Sequence, residues 1–370
     1  MATFKPVENL KEMRESLQDY LLKVVDDTEE GIEESKNSKK IKTYIIESNT
    51  PDPRKIENVP AIAKFIPTKV TTLFSVRLEK GREVETGYLD ITDPRFWLFH
   101  TGMESGLVEG FVHGLILNNH SMLDHSWFSS TFLEEKCSFG KNDGFGLKFR
   151  NSFLGKREEG NDRLHYFSML VWGAKTSSVL PVLRNTTGVA SGVTLSRIKQ
   201  LYETELGYIK ETVNYNGKFT LTKGDSIDSY LQSINKIKDA YGQLVGNIEE
   251  NYRINYVKKD AGFNIQGTYS LIEFENPIEN LEMFVKVIIS CGEPFRIFGI
   301  PKFREKDFVE IYAVDLHTYD KFNMEITPDY IRIFLYKNSC GNVLARLLTN
   351  LQQFYDSQIK LIGNDGERIV

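Results

Sequence analysis

The stretch HGLILNNHSMLDHSWF, residues 113–128, holds the densest set of side chains that could do chemistry in this 370-residue chain. Four of the six histidines lie between residues 100 and 125. Neutral imidazoles bind transition metals and act as general acids or bases near neutral pH. This cluster therefore suggests a metal-dependent hydrolase. Its ligands would be His113, His120, Asp124 and His125, with His100 as a further ligand.

The spacing of these residues does not by itself assemble a metal site. A catalytic zinc site needs three protein ligands within tetrahedral reach, and helical motifs such as HExxH place two histidines on one face. If the residues after His120 form a strand, Asp124 and His125 point to opposite faces because side chains alternate. Structural or surface imidazoles are the preferred interpretation. A divalent metal is kept as an alternative, and no other cofactor is predicted.

The stretch VDLHTYD, residues 314–320, is a second place where catalysis could occur. In a strand, Asp315 and His317 would share a face, as an acid-base pair requires. Asp320 lies near a turn, where aspartate is common for conformational reasons. The sequence contains no phosphate-binding GxxxxGK[ST] loop, GxSxG elbow or Rossmann glycine fingerprint. Whether the protein is an enzyme stays open, and a role without catalysis is favoured.

Charge is distributed unevenly along the chain, although the net charge is only −5. Residues 1–35 contain ten acidic and four basic residues, whereas residues 136–223 contain fourteen Lys/Arg and seven Asp/Glu. A basic region inside an acidic protein attracts polyanions if its charges share one surface. The alternative is that these charges lie on several unrelated faces.

The basic region supplies candidate contacts to phosphate. In DGFGLKFRNSFL, residues 143–154, phenylalanine and leucine alternate with lysine and arginine, which predicts a strand with one apolar and one basic face. The candidates are Lys148, Arg150, Lys156, Arg157, Arg197 and Lys199, and their role would be to neutralise and position phosphates.

These features favour a non-catalytic nucleic-acid-binding or scaffold subunit that acts with a partner protein in a microbial nucleic-acid-processing or defence complex. The rivals are the metal-dependent hydrolase and a structural or oligomeric protein without a small ligand.

Apolar periodicity predicts several helices. They cover residues 7–27, 104–119, 193–206, 227–248 and 343–359. The apolar stripes of helices 227–248 and 343–359 are expected to pack within the chain. The alternative is that they bind a partner protein or a second copy of this chain.

Alternating and continuous apolar runs predict the strands. Residues 69–91 read as a hairpin, RLHYFSMLVWG (163–173) as a buried central strand, and LEMFVKVIIS (281–290) as one of several strands after residue 252. Asn216–Gly217 predicts a two-residue type I′ turn between the strands of another hairpin.

Three glycines interrupt the helix predicted at 104–119. Gly106, Gly110 and Gly114 are four residues apart, and each costs roughly 1 kcal/mol relative to alanine inside a helix. We expect a neighbouring helix or strand to approach this surface closely. A ligand phosphate or a nucleic-acid backbone at the same surface is the alternative.

Together these patterns predict an α+β protein with mostly antiparallel or mixed sheets, several long amphipathic helices and two domains. The ranges proposed are an N-terminal helix and acidic segment (1–35), a β-rich α+β domain with a basic middle (36–223), and a strand-rich module with a long helix (224–370). No apolar run is long enough to span a membrane. The three separated cysteines and the charged N-terminus favour the cytoplasm, with reduced thiols.

Overall fold

The structure, a computed structural model, describes residues 4–24, 39–56, 58–60, 62–80, 83–153, 164–173, 176–260 and 262–370. These residues form seven α-helices and nineteen β-strands in antiparallel and mixed sheets. The predicted α+β class is therefore confirmed. The acidic stretch after the N-terminal helix, residues 26–35, lies outside the described residues.

The chain divides into two compact units, each assembled from separate stretches of sequence. Unit 1 comprises Met1–Ser126, Glu135–Gly144 and Arg197–Asp239, and unit 2 comprises Trp127–Glu134, Phe145–Ser196 and Ala240–Val370. This division differs from the contiguous ranges proposed from the sequence. The last boundary falls inside a long helix and not at its start.

The helices follow the predicted positions in most cases. They are α1 (Leu10–Val24), α2 (Ser105–Asn118), α3 (Ser130–Lys136), α4 (Val179–Arg184), α5 (Ile227–Asn251), α6 (Leu281–Ile288) and α7 (Asn342–Phe354). The stripe side chains of α5 and α7, such as Ile234, Tyr241 and Leu347, are buried within the chain. No α-helix in the described part of the chain is long and apolar enough to cross a membrane.

The described residues also form nineteen β-strands. They are β1 (Lys42–Ser48), β2 (Ala63–Pro67), β3 (Leu73–Lys80), β4 (Glu83–Asp90), β5 (Phe96–Thr101), β6 (Leu123–His125), β7 (Lys141–Arg150), β8 (Tyr166–Trp172), β9 (Leu195–Thr204), β10 (Gly207–Asn214), β11 (Lys218–Gly224), β12 (Arg253–Lys259), β13 (Gly262–Gln266), β14 (Ser270–Glu273), β15 (Ile297–Glu305), β16 (Phe308–Asp315), β17 (Lys321–Ile326), β18 (Tyr330–Tyr336) and β19 (Lys360–Gly363).

Unit 1 is built on an antiparallel sheet whose strands run in the order β2-β3-β4-β5-β1-β11-β10-β9, with β6 also paired to β1. Helix α2 covers part of one face through an apolar core that includes Phe99, Phe111 and Val112. The first half of α5 packs on the opposite face, where Ser233 reaches a buried glutamate of β10. The sheet is therefore a scaffold with a helix on each side.

Unit 2 contains a second sheet in the order β13-β12-β18-β17-β16-β15. Strand β14 also pairs with β18, and β19 pairs with β14. Its pairs are antiparallel except for β12 with β18. Helices α6 and α7 cover one face, and their side chains join Ile311, Met324 and Ile333 in one core. Outward-facing residues alternate with these core residues along each strand.

Two predicted elements have the opposite type in the structure. Residues 193–206 were predicted as a helix, but most of them form strand β9, in which the buried Ile198 and Gln200 alternate with the half-buried Arg197 and Lys199. LEMFVKVIIS was predicted as a strand, but Leu281–Ile288 is helix α6. The cap explains this, because the Asn280 side chain accepts a hydrogen bond from the backbone N–H of Met283 at 2.9 Å.

The prediction that RLHYFSMLVWG is a central buried strand is wrong. Strand β8 is the last strand in its sheet, next to β7, and its side chains are exposed or half-buried. Tyr166 and Trp172 keep 59% and 47% of their surface. A continuous apolar run indicates a strand, but it does not encode the position of that strand in the sheet.

Candidate functional site

A row of side chains crosses the unit 1 sheet on the face that carries α2. Tyr44 of β1 lies directly opposite Lys218 of β11, and Asn214 of β10 lies opposite Arg197 of β9. The Asn214 amide donates to the Lys218 carbonyl at 3.2 Å, which joins the two pairs. Directly paired residues point to the same face of a sheet. Two cationic side chains therefore stand on one surface.

Helix α2 covers the β5 and β1 end of this row and turns the rest into a cleft. The cleft has a volume of about 320 Å³, within the range of small-molecule sites. We call it the polar cleft. It is lined by Tyr44, Glu109, Val112, His113, His125, Arg197, Asn214, Tyr215, Asn216 and Lys218, all of which belong to unit 1.

Arg197 is the least satisfied cation of the polar cleft. Its side chain is half-buried, and its Nε is buried without a hydrogen-bond partner among the described residues. Leaving a buried donor unpaired costs about 1–3 kcal/mol, and more for charged groups. An acceptor from outside the chain would offset this cost.

Lys218 is the second cation, and an acidic residue holds it. Its side chain is 7% exposed, and its Nζ lies 2.7 Å from Oε1 of Glu109. Glu109 is on the exposed side of α2, with 54% of its side chain accessible. The carboxylate therefore occupies the position beside Lys218 that an anionic ligand would need.

The loop that follows Asn214 differs from the predicted turn. The hairpin itself is confirmed, but three residues separate β10 from β11, and the Asn214 carbonyl accepts from Gly217 N–H at 3.1 Å. Gly217 has φ +74°, whereas Asn216 is not left-handed. The two-residue type I′ turn is therefore wrong, because that turn needs positive φ at both central residues. The longer loop brings Tyr215 and Asn216 to the polar cleft.

At Gly110 and Gly114 of α2, the closely packed neighbour expected from the sequence is not found among the described residues. A Cβ added at Gly110 would meet no atom within 4 Å, and one added at Gly114 would meet only the Pro60 ring at 3.9 Å. Gly106, Gly110 and His113 are exposed at positions i, i+4 and i+7, on one side of the helix. The structure therefore leaves open space beside His113, at the margin of the polar cleft.

The proposed metal ligands do not converge. Among His113, His120, Asp124 and His125, which the structure describes, no three place donor atoms within 4.8 Å of one another. On β6, His125 lies opposite Ile46 and Asp124 opposite Glu47, so their side chains point to opposite faces. His120 Nδ1 lies 3.1 Å from the Leu117 carbonyl where α2 ends. Only His113 and His125 line the polar cleft.

His100 is a structural residue on the other face of the sheet. It is fully buried, and its Nδ1 lies 2.9 Å from Oγ1 of Thr43, the residue paired with it across β1 and β5. Burial lowers the pKa of His100 to about 4, although the nearby charge of Asp90 opposes the shift. His100 is therefore neutral at physiological pH and separate from the polar cleft.

The structure describes four of the six basic residues chosen from the sequence, two in each unit. Lys156 and Arg157 lie outside the described residues. Lys148 and Arg150 are exposed on β7 in unit 2, and the prediction of a strand with one apolar and one basic face is confirmed there. In unit 1, Arg197 lines the polar cleft.

Lys199 is the remaining member of that set. It is half-buried, and its Nζ forms an ion pair with Asp143 Oδ2 at 3.2 Å. Asp143 also lies 3.7 Å from Lys210 Nζ. An existing carboxylate therefore neutralises part of the positive charge that the sequence suggested for this strand.

A buried carboxyl group lies on the opposite face of the unit 1 sheet. Glu211 of β10 accepts hydrogen bonds from Ser233 and from Gln200 Nε2, the latter at 2.9 Å. Burial raises its pKa to about 7, although both hydrogen bonds oppose the shift. Burial, and then the charge of Glu211, also raises the pKa of the Cys137 thiol. This group belongs to the interior of unit 1 and does not line the polar cleft.

The second sequence candidate, Asp315 with His317 and Asp320, has a structural role in unit 2. Asp315 forms an ion pair with the fully buried Arg346 of α7 and accepts from His317 N–H at 3.1 Å. The Asp320 carbonyl accepts from Asp315 N–H, which closes the turn. A buried ion pair of this kind stabilises one arrangement of strand and helix.

Sequence reasoning missed Lys218 and Glu109 as members of the site. Alternation in KFTLT places Lys218 and Thr220 on one face and Phe219 and Leu221 on the other, so the polar face was readable. The pairing of β1 with β11 and the position of α2 over it are long-range features. No local pattern indicates them.

Comparison with known proteins identifies related sequences. A family model described as "MJECL33-like protein" matches residues 1–370 of the chain. The "Uncharacterized protein MJECL33" of Methanocaldococcus jannaschii is 31% identical over an alignment 388 residues long. The alignment spans 94% of this chain and 91% of that relative.

Proposed function

The chain belongs to the MJECL33-like protein family, and we propose that it binds nucleic acid without acting on it chemically, with a backbone phosphate held in the polar cleft. The observation that carries this proposal is the buried Nε of Arg197, which has no hydrogen-bond partner in the part of the chain that the structure describes. A phosphate oxygen accepts strongly from arginine and would supply that partner.

The rest of the polar cleft supports an anionic ligand. Lys218 contributes a second positive charge on the same sheet face, and His113 and His125 lie at the same cleft. Asn214 and Asn216 add amide groups that hydrogen-bond phosphate and sugar oxygens. The open glycine surface of α2 leaves room for a backbone to pass. Contacts of this kind hold and orient a ligand, and for this reason we propose a binding role.

The first test is the affinity for labelled oligonucleotides, measured by fluorescence anisotropy. We expect Arg197→Met to weaken binding about tenfold, because a hydrogen bond to a charged group contributes about 1.5–3 kcal/mol. The slope of log affinity against log salt should fall by about 0.7 for a single strand. Arg77→Met, at an exposed position on β3, is the matched control and should leave both values unchanged.

The second test predicts a change of opposite sign. Glu109→Gln removes the carboxylate that lies 2.7 Å from Lys218 Nζ, so this carboxylate no longer competes with phosphate for the lysine or repels it. We expect tighter binding by several-fold. Unchanged binding in both Arg197→Met and Glu109→Gln would refute the polar cleft as the phosphate site.

A binding role of this kind suits a subunit of a nucleic-acid-processing or defence complex in the cytoplasm, where a partner protein performs the chemistry. Cys137, Cys291 and Cys340 form no disulfide bond with one another, which suits a reducing compartment. Purification of the native chain, followed by identification of the co-purifying protein and nucleic acid, tests this part.

A further inference from the structure

The outer face of the unit 2 sheet carries large apolar side chains that remain exposed among the described residues. The inner face of β15–β18 is buried under α6 and α7, and the residues between the core positions point outward. On this outer face, Phe298, Ile300 and Tyr312 retain 46%, 61% and 52% of their surface. A contiguous exposed apolar patch of this kind marks an interaction site.

Strand register places these residues in rows. One row runs from Ile300 through Tyr312 and Asn323 to Phe334 across β15, β16, β17 and β18. The next row includes Phe298, Val314, Lys321 and Tyr336. We call these two rows, with Tyr256 and Ile265 of β12 and β13, the aromatic face. Neighbouring strands are about 4.8 Å apart, so Tyr312 and Phe334 lie about 10 Å apart with an amide between them.

The tyrosines at one end of the aromatic face lie close together. Tyr256 is opposite Ile265, and both are exposed. Partial burial, and then the proximity of the Tyr256 and Tyr312 hydroxyl groups, raises the pKa of Tyr336. Three phenol rings from three strands therefore share one region of the surface.

The charges around these rings favour a polyanion. In the adjacent row, Glu310 and Glu325 are each held by an arginine, at 2.8 Å from Arg304 and 2.7 Å from Arg332. Lys302 of that row and Lys321 within the aromatic face form no ion pair with any described residue. The charges on this part of the sheet that have no ion-pair partner among the described residues, those of Lys302 and Lys321, are therefore positive.

A cation on an aromatic ring already occurs beside this face. The Arg332 guanidinium lies 4.9 Å from the Tyr269 ring centre, and the Tyr269 and Phe334 ring centres are 6.0 Å apart. Flat groups that combine an apolar face with polar edges pack favourably on such rings.

We propose that the aromatic face binds single-stranded nucleic acid by stacking unpaired bases on Tyr312, Phe334 and Tyr336, with Lys302 and Lys321 contacting the backbone. Asn323, between two rings, offers its amide to a base edge. Duplex bases are stacked on each other and cannot reach this face, whereas unpaired bases can. This inference rests on the proposed nucleic-acid function and adds that the bound nucleic acid is single-stranded.

The test compares fluorescein-labelled oligothymidylate with the same strand paired to oligoadenylate. We expect the protein to prefer the single strand. Tyr312→Leu should weaken single-strand binding about tenfold, the effect of losing one stacked base, and should leave duplex binding unchanged. Tyr312→Phe keeps the ring and should bind like the original chain. Tyr166→Leu, at an exposed tyrosine of β8 outside this face, is a second control.

Photocrosslinking gives an independent measurement on the unsubstituted chain. A strand containing bromouracil should crosslink to peptides that contain Tyr312, Phe334 or Tyr336. Crosslinks elsewhere, equal affinity for duplex and single strand, or unchanged binding by Tyr312→Leu would overturn the inference. The proposed function would stand if Arg197→Met still weakened binding. No oligonucleotide binding at all would refute that function itself.

A protein contact at the aromatic face gives a different result. The chain would then associate with itself as its concentration rises, and Tyr312→Leu would abolish this association without changing oligonucleotide affinity. Light scattering together with anisotropy separates the two outcomes, and this second outcome would overturn the inference.

Discussion

Replacing Glu211 with glutamine is expected to stabilise the protein above about pH 7 and to have little effect below pH 4.5. Glu211 is fully buried, and its Oε1 accepts from both Ser233 and Gln200. Its Oε2 is buried, and no described residue forms a hydrogen bond with it. A glutamine keeps an acceptor oxygen for both donors and places a neutral group where the second oxygen lies. In this respect it resembles the protonated acid.

The magnitude follows from the shift in pKa. Burial raises the pKa of Glu211 from its ordinary value of 4.5 to about 7. Between these values the unfolded chain has released a proton that the folded chain retains, so stability falls as pH rises. Each pKa unit corresponds to 1.36 kcal/mol, which gives a loss of about 3 kcal/mol above pH 7. The glutamine variant avoids this loss because it never ionises.

Urea denaturation, followed by fluorescence at a series of pH values, measures the difference. The free energy of unfolding of Glu211→Gln minus that of the original chain should rise from near zero to about 3 kcal/mol across this range. Glu205→Gln, at an exposed glutamate, should show no such rise. A difference that is constant with pH, or one that falls as pH increases, would refute the reasoning.

Three further predictions concern stability and association. Gly217→Ala should destabilise the protein by about 1–3 kcal/mol in denaturant melts, because φ is +74° and the added Cβ would lie 3.0 Å from the Ile45 carbonyl oxygen; equal stability would contradict this. Arg346→Met should cost about 3–5 kcal/mol in the same assay, since Asp315 would be left as an unpaired buried charge, and a change below about 1 kcal/mol would argue against it. Met169→Lys places a charge on the exposed edge strand β8 and should reduce any self-association that light scattering detects at high protein concentration. Equal self-association of the variant and the original chain would contradict a contact through this edge.

The sequence predicted the elements whose signals are local. The hairpin of β10 and β11, the alternation along β7 and the apolar stripes of α5 and α7 all depend on neighbours in the chain, and the structure contains them. Strand β9 was mistaken for a helix because its apolar residues also fit a helical spacing over a short window. The identity of α6 depended on the Asn280 cap, which the apolar run concealed.

The candidate site depended on long-range pairing, and the sequence predicted only part of it. Arg197, His113 and His125 were named from residue type, and the structure places all three at the polar cleft. Lys218 and Glu109 were missed because their ion pair joins residues 109 positions apart in the chain. The proposed metal ligands do not converge for a local reason, since Asp124 and His125 are adjacent in a strand and face opposite sides.

We propose that Arg197 is kept for a ligand at the expense of stability, and the Arg197→Met variant tests this in two measurements on the same protein. Removing an unpartnered buried donor should leave the free energy of unfolding unchanged or raise it by about 1 kcal/mol. The affinity for an oligonucleotide should fall about tenfold in the same variant. A variant that is less stable yet binds the oligonucleotide as tightly as the original chain would contradict the claim, because Arg197 would then serve the fold alone.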